Sequence, residues 1–454
     1  MTLSKKNIRT SFYNKLFFLS IPIIIQNLIT ASLNMIDTVM IGRLGDEAVA
    51  GVGIANQVFF LFMVIAYGVN TGGSVFISQF WGKKDTKNLK KTVSIILILG
   101  ISISVLFLIG ACFLPKTIMK LFIKDINVIK LGSSYLNIIG ISYIFTAISL
   151  SYGYCLRSIG KTSIPMKISI FSLSINTILN YILIFGFLFI KPLGIKGAAI
   201  ATLISRIIET LLLINYIYLK DSPLKVSISD IKEKNKELFN RFFKVTLPVI
   251  MNEGIWALGN VLFMVIYGLL GTEAVASIQI SNTVYNIFSV IMFGVGNASS
   301  IIIGEKIGEE NNNLAYKYAV KVSILTPLLG GIFGGILYGI SEYVITLFNV
   351  SSIVKTDAII LMKMIGLFMG VKFFNEIILG GVFRSGGDTK YSLYIDLIGI
   401  WFIALPLGFI GAKIFNLPVY IIYLIISFEE LLEVGFAIKR LKSKKWLNNV
   451  VKGI

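Results

Sequence analysis

The sequence predicts an all-α integral membrane protein, with twelve transmembrane helices arranged as two parallel-repeat six-helix bundles. Three observations predict it. Hydrophobic residues make up 56% of the 454, the mean hydropathy is +0.84, and only 14% of residues are charged, against roughly 25% in soluble domains. Twelve separate apolar segments punctuate the chain. The second six repeat the first in a constant register.

The segments fall at roughly 16–42, 52–80, 93–114, 131–155, 164–190, 197–219, 242–270, 278–303, 319–341, 357–383, 391–412 and 417–438. A helix rises about 1.5 Å per residue and the hydrocarbon core is roughly 30 Å thick, so each is long enough to cross. The N-terminus, MTLSKKNIRTSFYNK, is polar and basic. The apolar run after it is too long for a signal-peptide core and lacks a clear cleavage site, which predicts a retained first helix. An even number of crossings puts both termini on one side. Thirty Lys and Arg flank the segments on the side of the termini and ten on the other, so both termini are expected in the cytoplasm, with the chain in the cell's inner membrane.

The longest polar stretch, Lys220 to Asn240, lies near the middle of the chain and contains Pro223. It divides the sequence into an N-terminal bundle over 1–219, a cytoplasmic linker over 220–241 and a C-terminal bundle with a basic tail over 242–454. An ungapped shift of 226 lays Pro22 on Pro248, Asn34 on Asn260 and Gly42 on Gly268. It also lays LGDEAVA (Leu44–Ala50) on LGTEAVA (Leu270–Ala276). One further residue of offset lays Arg157-Ser-Ile-Gly160-Lys-Thr162 on Arg384-Ser-Gly-Gly387-Asp-Thr389. Both halves start on the same side, so the repeats are parallel. Duplicated halves with a site between or within them are the architecture of secondary transporters.

Composition excludes several functions. There is no histidine, and the two cysteines, Cys112 and Cys155, lie in apolar runs. This removes His/Cys metal sites, Cys–His nucleophiles and a disulfide framework. The net charge of +19 sits mostly in loops on one side, which suits anionic lipid and gives no nucleic-acid site. No Walker A pattern is present, so ATP does not drive the protein directly. No cofactor is expected, and a monomer is the expected assembly.

Asp37 is the only charged residue of the first segment, Leu16–Gly42, about 8 Å inside the boundary marked by Arg43. An ionised carboxylate at that depth costs on the order of 2.5–3.5 kcal/mol, so an intramembrane acid reads as a proton or cation site. The fifth segment offers Asn176 and Asn180, four apart on one face, and the sixth Ala198 and Thr202 at the same spacing. With Asp37 they form an all-oxygen set suited to a hard monovalent cation, Na⁺ included; the competing role is to bind helices together. In the second half, Glu253 and Glu376 both lie about 12–14 Å from the cytoplasmic boundary. With Lys372 and Asp396 they form a second candidate cluster, for coupling or substrate, or as a Lys372–Glu376 ion pair with Glu253 nearby. Arg206 and Glu209 read as a structural pair. Trp256, Tyr67 and Tyr285 are candidates to stack a cationic substrate.

These features resemble the multidrug and toxic compound extrusion (MATE) transporters. The resemblance rests on the Pro22…Asp37-Thr-Val-Met-Ile-Gly42 helix, the LG-x-EAVA segments, the R-S-x-G-x-T turns and Gly197-Ala-Ala-Ile-Ala-Thr202, and it spans nearly the whole chain. It implies two bundles around a V-shaped cavity that opens alternately to each side. It also implies antiport, with cationic or amphipathic small molecules leaving as Na⁺ or H⁺ enters. Two departures stand out: relatives commonly have an acid where this chain has Asn180, and many have one where it has Trp256. The rival within the superfamily is a flippase of lipid-linked saccharides; twelve helices and few basic residues within them favour a drug exporter.

Overall fold

The computed structural model describes residues 5–220, 222–233 and 235–454, and the first four residues of the basic N-terminus lie outside them. All twelve predicted crossings are helical. They are α1 (Lys5–Gly42), α2 (Asp46–Lys83), α3 (Thr86–Phe113), α4 (Ile126–Ser158), α5 (Ser163–Phe185), α6 (Ile195–Leu219), α7 (Lys236–Gly268), α8 (Thr272–Gly308) and α9 (Asn312–Val344). Then α10 runs over Ser352–Asn375 and continues as a π-helix through Glu376–Phe383. In α11, Thr389–Asp396 passes into a second π-helix, Leu397–Ala404, and ends in Leu405–Lys413; α12 is Val419–Ser443. Ten of these are long and apolar enough to cross a membrane on composition alone. Of the two others, α12 carries Glu429, Glu430 and Glu433 in its middle.

The duplicated motifs have a conformational reason. In both LG-x-EAVA segments the glycine precedes a helix with positive φ, 100° at Gly45 and 107° at Gly271. In both R-S-x-G-x-T turns the glycine does the same, 82° at Gly160 and 68° at Gly387. A side chain at any of these would be strained, so the repeat has kept glycine at the four corners where one helix hands over to the next. The fifth helix is shorter than expected, ending at Phe185 rather than near 190, because Gly186 turns the chain with φ 82° and Phe187 bridges Ile190. Elsewhere, side chains of Asp85, Asp125, Asn311 and Ser351 cap the helices they precede.

The chain forms two compact units: one takes Ile25–Phe242, the other the chain before Ile25 together with Phe243–Gly453. In the first, the polar linker is not a free tether. Leu224 and Val226 are buried, a short helix at Ile228–Lys232 is capped by Ser227 and Asp230, and Glu233 meets Lys91 at 2.7 Å and Lys87 at 3.1 Å. Those two lysines hold the Glu233 carboxyl below its ordinary range. In the second unit, Lys15 on α1 pairs with Glu305 on α8 at 2.7 Å. The glycines of α9 and α10 let their backbones touch: a Cβ on Gly334 would lie 2.1 Å from the Gly366 carbonyl oxygen. Small residues at such crossings are how helices associate in lipid. Outward faces are apolar, as at Phe17, Leu106 and Ile324.

Candidate functional site

In the unit containing Ile25–Phe242, α1, α5 and α6 bring the predicted polar set together. Asn180 donates to Asp37 Oδ1 at 2.8 Å. The Asn176 amide fits in two orientations. In one it donates to Thr202 Oγ1 and accepts from Asn180, both at 3.3 Å. In the other it donates to Asp37 Oδ2 at 2.9 Å and accepts from the Thr202 backbone amide at 3.2 Å, which satisfies both ends. Asn176 and Asn180 are 4% and 2% exposed and Ala198 is buried one turn before Thr202, while Asp37 is half-buried. The Asn180 carbonyl oxygen is buried with no hydrogen-bond partner. An orphaned oxygen beside a carboxylate is the chemistry a monovalent cation completes. The absent second acid leaves one negative charge here. Beside this set, Met40, Thr177, Ile178, Tyr181, Ile182 and Phe187 line an apolar recess of about 390 Å³.

A second polar run crosses the same unit. Arg157 on α4 donates to Gln26 on α1 at 2.8 Å, and Gln26 donates to Ser169 on α5 at 2.9 Å. Ser169 donates to Glu209 on α6 at 2.6 Å, and Arg206 closes the run on Glu209 at 2.7 Å. The Arg206–Glu209 pair is thus part of a partly buried chain linking four helices. Arg157 of the first R-S-x-G-x-T turn is its other end.

In the other unit the second candidate cluster regroups. Lys372 pairs with Glu430 of α12, not with Glu376, and its ammonium lies 5.9 Å from the rings of Tyr285 and Tyr423. Glu253 is held by Arg384 at 2.7 Å. Arg384 also donates to Asn252 at 2.7 Å, and Asn252 donates to Asp396. Glu376 is exposed, its carboxylate folded over Gly380 one turn on. Glu253 and Asp396 therefore belong to one network through Arg384 and Asn252, and Lys372 and Glu376 do not join it by hydrogen bonds. Sequence reasoning missed Arg384, Asn252, Glu429, Glu430 and Glu433. The signal for the first two was the repeat itself, which lays Gln26 on Asn252 and Arg157 on Arg384.

The aromatic candidates separate. Trp256 is 48% exposed and offers an open face. Tyr67 sets its edge against Tyr154 at 6.2 Å. Tyr285 packs against the core with Lys372 over its ring, so its face is already occupied.

Three comparisons bear on this arrangement. The MatE family model matches residues 22–182 and 248–410, stretches that begin at the two prolines the internal repeat superposes. Among curated proteins, the chain is 25% identical over 409 residues to "Probable multidrug resistance protein NorM" of Thermotoga maritima, covering 89% of this chain and 86% of that one. It is 26% identical over 415 residues to "Probable multidrug resistance protein YoeA" of Bacillus subtilis, covering 90% and 88%. Among solved structures it superposes on a MATE transporter in the bent conformation with a TM-score of 0.87 at 19% identity, covering 98% and 99%. A MOP superfamily transporter from Pyrococcus furiosus, described as having reverse polarity in its binding pocket, superposes with a TM-score of 0.84 at 20% identity, covering 95% and 96%.

Proposed function

The chain belongs to the MatE family of multidrug efflux transporters, and from that premise we propose that it is an antiporter exporting organic cations across the inner membrane as Na⁺ or H⁺ enters. The observation that carries the reading is the Asp37 pocket, where one carboxylate, two buried asparagines and Thr202 meet and the Asn180 oxygen lacks a partner. Protons and Na⁺ compete for one carboxylate, because each stabilises a different form of it. Binding there draws α5 and α6 toward α1, and Pro22, which removes a backbone hydrogen bond from α1, is the weak point at which that helix yields. Substrate held beside these helices then loses contacts as the ion arrives, which is antiport by differential affinity. The apolar recess beside Tyr181 suits the hydrocarbon part of such a substrate.

The test is efflux of ethidium from liposomes containing the purified protein, under an imposed Na⁺ gradient and, separately, an imposed pH gradient. Efflux under at least one gradient is expected. No efflux under either would overturn the reading.

A further inference from the structure

The two units build one polar scaffold and finish it differently. Gln26, Ser169 and Arg157 correspond through the repeat to Asn252, Asp396 and Arg384, and both sets are joined by the same contacts. Aligning the starts of α6 and α12, Ile195 and Val419, lays Ser205 on Glu429, Arg206 on Glu430 and Glu209 on Glu433. In the unit containing Ile25–Phe242 the buried carboxylate Glu209 has Arg206 and Ser169 as partners. Its counterpart Glu433 has neither. Arg206 has become Glu430, whose charge is taken by Lys372, and Ser205 has become another buried acid.

Glu429 and Glu433 are each only 8% exposed. They stand one turn apart on α12, and both carboxyl groups close on Gly399 in the π-helical stretch of α11. A Cβ there would lie 2.3 Å from Glu429 Oε2 and 2.9 Å from Glu433 Oε1. Independently of the clustering, Glu429 Oε2 is buried with no hydrogen-bond partner. The charged or titratable groups on the packed elements are few. Lys372 on α10 is engaged by Glu430, Asp396 on α11 is itself acidic, and Tyr391 donates to the Phe436 carbonyl. The stretch Leu397–Ala404 has none, and Lys413 stands over Phe409 at the far end of α11. Among the described residues no cation forms an ion pair with either carboxyl, Lys372 being bonded to Glu430. For two buried carboxyls one turn apart against the same apolar stretch, repulsion and desolvation both disfavour the doubly ionised form and favour keeping a proton on one of them.

We propose that Glu429 and Glu433, closed against Gly399, form a proton-binding site in the C-terminal half, holding one shared proton that is exchanged during transport. The inference deepens the antiport reading and rests on it for the coupling role, while the proton itself can be tested without transport. Loading neutralises the pair and lets α12 sit against α11. Release leaves charge buried against the apolar stretch Leu397–Ala404, a desolvation cost that favours moving α12 away from α11 where the π-helical turn is already widened.

The test uses the full-length protein in phosphatidylethanolamine–phosphatidylglycerol vesicles. Infrared difference spectra between acid and alkaline buffer are expected to contain a protonated-carboxyl absorption that is lost in both Glu429→Gln and Glu433→Gln and kept in Asp37→Asn. Ethidium efflux driven by a pH gradient is expected to be lost in both glutamine variants. Glu433→Asp, which keeps a carboxyl on a shorter arm, is expected to restore efflux in part with a shifted pH midpoint, and it serves if a glutamine variant fails to insert. An unchanged infrared absorption in both glutamine variants, or efflux at the wild-type rate in both, overturns the proposal. If the wild-type protein moves no ethidium under any gradient yet the absorption titrates as expected, the antiport reading fails and the proton site stands.

Discussion

Replacing Asp37 by Asn changes one charge and almost nothing else, which makes it the sharpest perturbation available. The Asn180 amide donates to Asp37 Oδ1 at 2.8 Å, and an amide oxygen at the same place still accepts. The fold should therefore survive, losing only the extra strength of a charge-assisted bond, about 1 kcal/mol. The bound ion loses far more. A monovalent cation about 4 Å from a carboxylate gains about 4 kcal/mol at an effective dielectric constant of 20. Asp37 is half-buried, so screening removes part of this, and about 3 kcal/mol is a fair remainder. At 1.4 kcal/mol per decade that is about a hundredfold weaker ion binding. The assay is displacement of bound ethidium from the detergent-solubilised protein, followed by fluorescence while Na⁺ is raised at fixed pH and then while pH is lowered without Na⁺. In wild type, at least one titration should release the dye; in Asp37→Asn that midpoint should move up by about two decades or vanish. An Asn variant that releases dye at the wild-type midpoints would refute the reasoning, and coupling would then have to lie wholly in the other unit.

Four further outcomes follow from the structure. A cysteine at Asp230 should react with membrane-impermeant reagents only from the cytoplasmic side and one at Lys116 only from outside; the reverse would overturn the orientation. Gly197→Ala places a Cβ 2.4 Å from the Leu183 carbonyl oxygen, a backbone contact that cannot yield. It should cost about 1–3 kcal/mol of stability by thermal unfolding, whereas Gly53→Ala, with nothing within 4 Å, should leave the midpoint near wild type. Lys372→Met strands the Glu430 carboxylate and should destabilise by about 3–5 kcal/mol, with much of that recovered in the Lys372→Met, Glu430→Gln double variant. Glu233, whose ionised form Lys91 and Lys87 stabilise, supports linker docking above its unfolded-state pKa. That support is lost as pH falls through its lowered folded value, so hydrogen exchange across 222–233 should accelerate only below the ordinary carboxylate range.

The fold was legible because a membrane protein writes it in long apolar segments, and because a duplicated chain repeats its corner glycines. The Asp37 pocket was legible for a related reason: polar residues in apolar helices stand out, and the spacing of Asn176 and Asn180 puts them on one face. The C-terminal cluster was harder. Spacing offers Glu376 to Lys372, one turn away, but the carboxylate of Glu430 arrives from another helix and takes the ammonium. Arg384 marks the end of an apolar segment in the sequence, yet it folds back onto Glu253 and Asn252. Glu429 and Glu433 were visible as letters in the last segment. Their meaning depends on packing against Gly399, and on a register that an ungapped comparison loses before α12. The π-helical stretches left no signal in composition or period.

The same comparison bears on which ion each half can serve. In the unit containing Ile25–Phe242, Glu209 is paired with Arg206, and the Asp37 carboxylate is met by asparagine amide N–H groups, with no ion pair of its own. On the proposed antiport reading, one carboxylate with amide and hydroxyl oxygens nearby would serve either Na⁺ or a proton. In the other unit the surplus is of another kind. Arg384 serves Glu253 directly and Asp396 through Asn252, while Glu429 and Glu433 both close on Gly399. Two buried carboxyls crowding one glycine favour holding a proton, because neutralising one relieves both repulsion and desolvation. Duplication alone would have made the halves alike. The substitutions that separate them are Ser205 against Glu429, a buried position, and Arg206 against Glu430, a partly buried one; an unbalanced charge at the first costs several kcal/mol unless it is neutralised. A surplus retained at that cost is better explained by a proton that comes and goes than by packing, for which the serine and arginine of the other half already suffice.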